Sequence, residues 1–131
     1  MGFLDSMNLD DALEPTAVPG GAEYKLRIVD VKTDPSFDDG MPRNKNNEPY
    51  LLPRLQILDQ PGNPKEFTKY IGLAPDSLWK MNQFLKAFDM DADSLDQPTD
   101  MVGSEGWAIL GHEESDEWGE QNFVKKFIIP K

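Results

Sequence analysis

Apolar and polar residues alternate along the first half of the chain with the two-residue period of β-strands. The first such run covers 23–33, where the apolar residues begin at even positions and then shift by one to Val29 and Val31. A shift of this kind predicts a β-bulge within the first strand. A bulge lets a long strand bend around a small barrel and pair on both sides.

The next two runs predict a hairpin. A second strand is predicted over 49–59, and Pro53 within it indicates an edge or bulged position because proline donates no ladder hydrogen bond. Pro61–Gly62 suits a type II turn, and a third strand follows over 65–73. The segment before this hairpin, 34–48, is rich in Pro, Gly and Asn and predicts a long loop, which is more often functional than a plain connection.

The apolar period then changes to that of an α-helix. Apolar residues recur three or four positions apart over 74–89, with lysines and glutamine between them. The sequence therefore predicts one helix after the third strand. Its aromatic residues Trp79, Phe84 and Phe88 are predicted to be core residues, as is Trp107 beyond the helix.

Two further strands are predicted near the C-terminal end, at 107–111 and 122–130, joined by a polar hairpin loop at 112–121. Residues 90–104 predict no regular element. Three strands, a helix and two strands is the order of the OB (oligonucleotide-binding) fold, a partly open barrel. We therefore predict an all-β protein with one helix, a five-stranded OB-fold barrel with the helix between strands 3 and 4. A flat antiparallel sheet with the helix on one face is the structural alternative.

Charge is distributed unevenly, although the net charge is −11 at pH 7. Residues 1–21 are acidic and rich in Pro and Gly, and we predict that they form an N-terminal arm leading into an OB-fold domain at 22–131. Half of the acidic residues lie in 73–120, whereas 40–72 and 121–131 carry a net positive charge. An acidic chain with this distribution can still present a basic face.

The composition argues against enzymatic chemistry. There is no cysteine for a disulfide, a thiolate metal site or a nucleophile, and His112 is the sole histidine. The acidic run at 89–96 lacks the glycine and glutamate of a calcium loop. We therefore predict no enzyme activity, no metal and no cofactor. The sequence has no run of ~20 apolar residues and no secretory signal, which predicts a cytoplasmic protein without membrane contact.

Basic and aromatic residues are interleaved where OB barrels bind ligands, on the outer faces of strands and in the adjoining loops. Single-stranded nucleic acid requires this mixture, because bases stack on aromatic rings while cations follow the phosphates. A tryptophan in the polar hairpin loop is a further stacking candidate. The predicted DNA-binding residues are Lys25, Arg27, Phe37, Arg43, Lys45, Tyr50, Arg54, Lys69, Tyr70 and Trp118.

Four segments resemble a family of small bacteriophage-encoded OB-fold proteins that bind single-stranded DNA, the SSB-like proteins. They are VPGGAEYKLRIVDVK, PYLLPRLQIL, LWKMNQFLKAFDM and NFVKKFI, and they span roughly 18–129 in this order. The resemblance implies binding of single-stranded DNA largely without sequence preference. It further implies a role in phage DNA replication, recombination or repair, in the host cytoplasm.

The sequence departs from this family at its C-terminal end, where many SSB proteins carry an acidic tail that recruits partners and this sequence reads FIIPK. We hypothesise that the acidic arm or the acidic region 89–120 replaces the tail and contacts replication or recombination proteins. Two other functions stay open. One is a non-enzymatic OB-fold protein-interaction module, and the other is an acidic DNA-mimic inhibitor whose carboxylates imitate phosphates.

Overall fold

The computed structural model describes residues 17–117 and 119–130. This part of the chain is mostly β structure with one α-helix. The strands are β1 (Glu23–Val31), β2 (Tyr50–Leu51), β3 (Pro53–Ile57), β4 (Lys65–Thr68), β5 (Ile71–Gly72), β6 (Glu105–Ser115) and β7 (Gly119–Ile128). Helix α1 (Leu78–Ala87) lies between β5 and β6 and follows a 3-10 turn, Pro75–Ser77; two more 3-10 turns, Ala92–Ser94 and Pro98–Met101, precede β6.

Five of the strands form a curled antiparallel sheet in the order β4-β3-β1-β6-β7, while β2 and β5 pair with each other. The curl brings the two edge strands together, since 66–68 of β4 and 120–122 of β7 line one cleft. The sheet is thus a half-barrel, as the bulged first strand predicted. The flat sheet that was the structural alternative does not form.

Strand β1 is shared by both halves of the sheet. It pairs with β3 along one side and with β6 along the other. Its register with β3 shifts between Ile28 and Asp30, which confirms the predicted bulge. The extra residue explains the change of apolar phase, because Leu26, Ile28 and Val31 are all buried although they are spaced by two and then three positions.

The two strands of the predicted hairpin are each interrupted. The break at Leu52 separates β2 from β3, and a break at 69–70 separates β4 from β5. Pro53 opens β3, an interior strand between β1 and β4, so of the two predicted positions, edge or bulged, the edge position is wrong. A proline is tolerated there because it is the first residue of the strand, and its carbonyl still accepts a hydrogen bond from the Lys69 amide at 3.0 Å.

The core lies between the concave face of the sheet and one face of α1. Phe84 is fully buried, and its ring centroid lies 5.0 Å from that of Phe88 and 5.5 Å from that of Phe127. The prediction that Phe84 and Phe88 are core residues is confirmed. Among the described residues, no helix is both long enough and apolar enough to cross a bilayer.

Two tryptophans predicted to be buried are exposed instead. Trp79 is 56% exposed and Trp107 is 46% exposed. Trp79 precedes Phe84 by five residues, about 140° around the helix axis, so it cannot share the buried face. Trp107 lies on the outer face of β6, because its neighbours Gly106 and Ala108 face inward.

The predicted polar loop at 112–121 is instead the outer part of a β-hairpin. Strands β6 and β7 continue to pair as far as Ser115 opposite Gly119. The sequence pattern does not predict this pairing, because this part of the hairpin covers no core and its residues do not alternate between apolar and polar. Most of its described side chains are exposed.

Residues 17–21, which the sequence assigns to the arm, pack against this hairpin. Ala17 and Val18 are buried. Asn122 holds Val18 in place: its Oδ1 accepts from the Val18 amide at 2.8 Å, and its Nδ2 donates at 2.9 Å to the carbonyls of Val18 and Gly111. Residues 1–16 of the predicted arm lie outside the described residues.

Replacing Asn122 by alanine is expected to lower the free energy of unfolding by about 1.5 kcal/mol, because buried amide and carbonyl groups lose their partners. Urea unfolding measures the loss. Asn82→Ala, on the exposed face of α1, is the control and should change stability by less than about 0.5 kcal/mol. Equal losses in the two variants would show that Asn122 does not anchor the 17–21 segment.

Candidate functional site

Tyr50 and Tyr70 form a stacked pair beside the loop 32–49. Their ring centroids are 4.9 Å apart and their planes lie at 30°. Pairing of β2 with β5 brings them together: Tyr50 lies opposite Gly72, and the Tyr70 ring lies over the glycine, 3.6 Å from where a Cβ would stand. Tyr70 remains 49% exposed. The sequence predicts both tyrosines as site residues, and the structure brings them into contact.

Two polar side chains orient this pair. Lys32 Nζ donates to the Tyr50 hydroxyl at 3.3 Å and lies 5.9 Å from the centre of its ring. Asn44 Nδ2 donates to the Tyr70 hydroxyl at 3.1 Å. We call these four residues, Lys32, Asn44, Tyr50 and Tyr70, the tyrosine platform. It offers an accessible aromatic ring next to a cation, which is a surface on which an anionic, ring-bearing ligand can stack.

The loop residues Phe37 and Arg43 contact each other rather than projecting outward. The Arg43 guanidinium lies 4.1 Å from the centre of the Phe37 ring. It also forms two hydrogen bonds to Asp39, at 3.1 and 2.9 Å, and one to the Met41 carbonyl. The hydrogen bond from Arg43 and one from the Met41 amide lower the pKa of Asp39. Of the predicted DNA-binding residues in this loop, Lys45 alone is exposed and has no such partner among the described residues.

The basic residues of the outer sheet face are matched by carboxylates. Glu105 accepts from Arg27 Nε at 2.8 Å and lies 3.3 Å from Lys25 Nζ, while Arg54 lies 4.0 Å from Asp30. Hydrogen bonds from Arg27 and then Lys25 lower the pKa of Glu105. The ion pairs of Glu105 with Arg27 and Lys25 are therefore present at neutral pH, and they are lost as the pH falls through the lowered pKa of Glu105.

Trp107 lies on the same outer face, directly opposite Lys25 in the β1–β6 register. The sequence prediction assigned it to the core. The signal that could have placed it correctly is the alternation over 107–110, where Ala108 and Leu110 are buried and Trp107 faces out. This face therefore combines an aromatic ring with cations, although the cations are largely neutralised.

A groove between α1 and β7 contains functional candidates that the sequence prediction missed. We call it the lysine groove; its basic and aromatic lining is Lys69, Tyr70, Trp79, Lys80, Lys125, Lys126 and Phe127. Only Lys69 and Tyr70 were predicted as site residues. The available signals were the positive charge of 121–131 and the pair of lysines between two apolar residues of the last strand. Trp118, the last predicted residue, lies outside the described residues.

No protein-family model matches the sequence, and no curated protein shows significant similarity to it. The resemblance to phage SSB-like proteins stays a prediction. Among the residues that the structure describes, no three His, Asp or Glu side chains are grouped so that they could hold a metal ion.

Proposed function

We propose that this protein is an OB-type barrel that binds single-stranded DNA largely without sequence preference. The observation that carries the proposal is the tyrosine platform. The accessible ring of Tyr70 stacks on Tyr50, and Lys32 contacts the hydroxyl and ring of Tyr50, so the platform combines a stacking surface with a positive charge. Stacking of a base on such a ring contributes about 1–3 kcal/mol and tolerates any base sequence.

The strand pairing supports the OB assignment. Joining β2 with β3 and β4 with β5 across their short interruptions leaves five strands, with α1 after the third. The platform then lies beside the loop between the first and second strands, one of the places where OB barrels bind their ligands.

The distribution of charge supports an anionic ligand despite the net charge of −11. The pKa of Asp34 is lowered mainly by hydrogen bonds from Ser36 and least by the charge of Lys32, whose Nζ donates to the Tyr50 hydroxyl. The adjacent lysine groove has no acidic lining residue. Cations without a carboxylate partner can contact phosphates and release counterions from the DNA. The resemblance of four segments to phage SSB-like proteins supports a role in replication, recombination or repair of phage DNA.

A labelled oligo-dT should bind the full chain and raise its fluorescence anisotropy, and the affinity should fall between about 50 and 200 mM salt because phosphate contacts release counterions. Tyr70→Ala should weaken binding about tenfold, since it removes the accessible ring of the platform. Titration of the oligonucleotide with each variant measures both effects.

The matched control is Tyr70→Phe, which keeps the ring and loses only the hydroxyl that accepts from Asn44. It should bind nearly as well as the unmodified chain. Absence of oligo-dT binding by the unmodified chain at low salt would overturn the proposal.

In that case a non-enzymatic protein-interaction module is the candidate function. The observation that favours it is the outer part of the β6–β7 hairpin, where Glu113, Glu114 and Glu117 are exposed. A carboxylate surface of this kind suits a basic protein partner.

A further inference from the structure

We propose that single-stranded DNA leaving the tyrosine platform runs into the lysine groove between α1 and β7, rather than across the outer face of the sheet. This inference rests on the proposed function and names the path of the bound strand. Tyr70 belongs to both surfaces, because its ring stacks on Tyr50 and also lines the groove. A strand stacked at Tyr70 therefore meets the groove next.

A bulge in β7 places two lysines side by side in the groove. Ile109 of β6 lies opposite Lys126 and the next residue, Leu110, lies opposite Val124, so Lys125 is the extra residue. Val124 and Phe127 pack against the core, which leaves both intervening lysines exposed. In a regular strand one of the two would face the core.

The opposite wall of the groove supplies an aromatic ring and another cation. Trp79, in the first turn of α1, is 56% exposed. Lys80 Nζ lies 5.6 Å from the centre of the Trp79 ring. Tyr70 and Trp79 are therefore two accessible rings bordering one groove, on which successive bases can stack.

The cations of the groove are uncompensated. Lys69, Lys80, Lys125 and Lys126 form no ion pair with any carboxylate of the described residues, and the groove lining contains no acidic residue. The outer sheet face differs, because Glu105 already forms ion pairs with Arg27 and Lys25. Phosphates on that face would have to displace Glu105, whereas phosphates in the groove displace only water and counterions.

The groove is too small to enclose a small-molecule ligand. Its volume is about 150 Å³, below the ~300–1,000 Å³ of small-molecule sites. The rings of Tyr70 and Trp79 line it together with the lysines.

The test is the double variant Lys125→Gln/Lys126→Gln, titrated with labelled oligo-dT over a range of salt concentrations. We expect binding about tenfold weaker at low salt and a salt slope reduced by about 1.4, since each phosphate contact on a single strand contributes about 0.7. The matched control is Lys65→Gln/Lys86→Gln, which removes the same charge outside the groove and should change the affinity less than about threefold. Trp79→Phe adds a spectroscopic readout: if Trp79 stacks on a base, this variant should lose most of the tryptophan quenching that DNA causes.

The possible results separate this inference from the proposed function. If the unmodified chain binds no oligo-dT, the proposed function fails. If it binds and Tyr70→Ala weakens binding, but the groove variant matches its control in affinity and slope, only the path through the groove is wrong. All substituted lysines are exposed or half-buried at the surface, and an unchanged urea midpoint verifies that each variant is folded.

Discussion

Replacement of Phe84 by alanine is expected to lower the free energy of unfolding by about 3–5 kcal/mol, the usual cost of truncating a buried phenylalanine. Phe84 is fully buried and its ring lies within 5.5 Å, centre to centre, of Phe88 and Phe127. Alanine leaves a cavity at the place where α1 packs against β7, and backbone elements on both sides limit its collapse. Urea unfolding followed by circular dichroism measures the loss.

The control for this prediction is Phe123→Ala in β7. Phe123 is 38% exposed, and its ring covers Gly111 at the surface. Its truncation should cost less than about 1.5 kcal/mol, because only part of the ring leaves an apolar environment. Similar losses in the two variants would contradict the assignment of Phe84 to the centre of the core.

Replacement of Gly106 by alanine is expected to cost about 3 kcal/mol, the upper end of the range for overpacking. A Cβ at this position would stand 2.5 Å from the carbonyl oxygen of Ala87, the last residue of α1. A backbone oxygen cannot rotate away as a flexible side chain can, so the end of α1 would have to separate from β6. The urea midpoint reports this loss of stability.

Gly72→Ala is the matched control, because a Cβ there would meet the Tyr70 ring at 3.6 Å, an ordinary van der Waals distance. It should change stability by less than about 1 kcal/mol. If Gly106→Ala were as stable as this control, the close approach of α1 to β6 would not occur in solution.

Much of the half-barrel could be predicted from the sequence because its elements leave local signals. The bulge in β1 was visible as a change of apolar phase, and α1 as a change of period. The break at Leu52 was not visible, since the alternation of buried residues continues through it from Leu51 to Pro53 and beyond. Alternation reports which face is buried but not whether the ladder of hydrogen bonds is continuous.

The candidate site was predictable in part. The sequence predicts Tyr50 and Tyr70 as site residues because aromatic residues on strands offer stacking surfaces, but their contact depends on the β2–β5 register. Trp79 was assigned to the core because tryptophan on an amphipathic helix is usually buried. Its exposure depends on which face of α1 meets the sheet. The face that contains Phe84 is buried, which leaves Trp79 exposed.

The sequence by itself determined the local features of this protein: the strands, the helix, the bulge and the separation of acidic from basic segments. Each depends on neighbours in the chain, so each leaves a pattern within a short window. Tertiary structure alone decided which cations are neutralised, because charge pairing depends on distance in space. Arg27 meets Glu105 across 78 positions. Lys69, Lys80 and Lys125 come from three separate parts of the chain to one groove and form no ion pair with a carboxylate of the described residues.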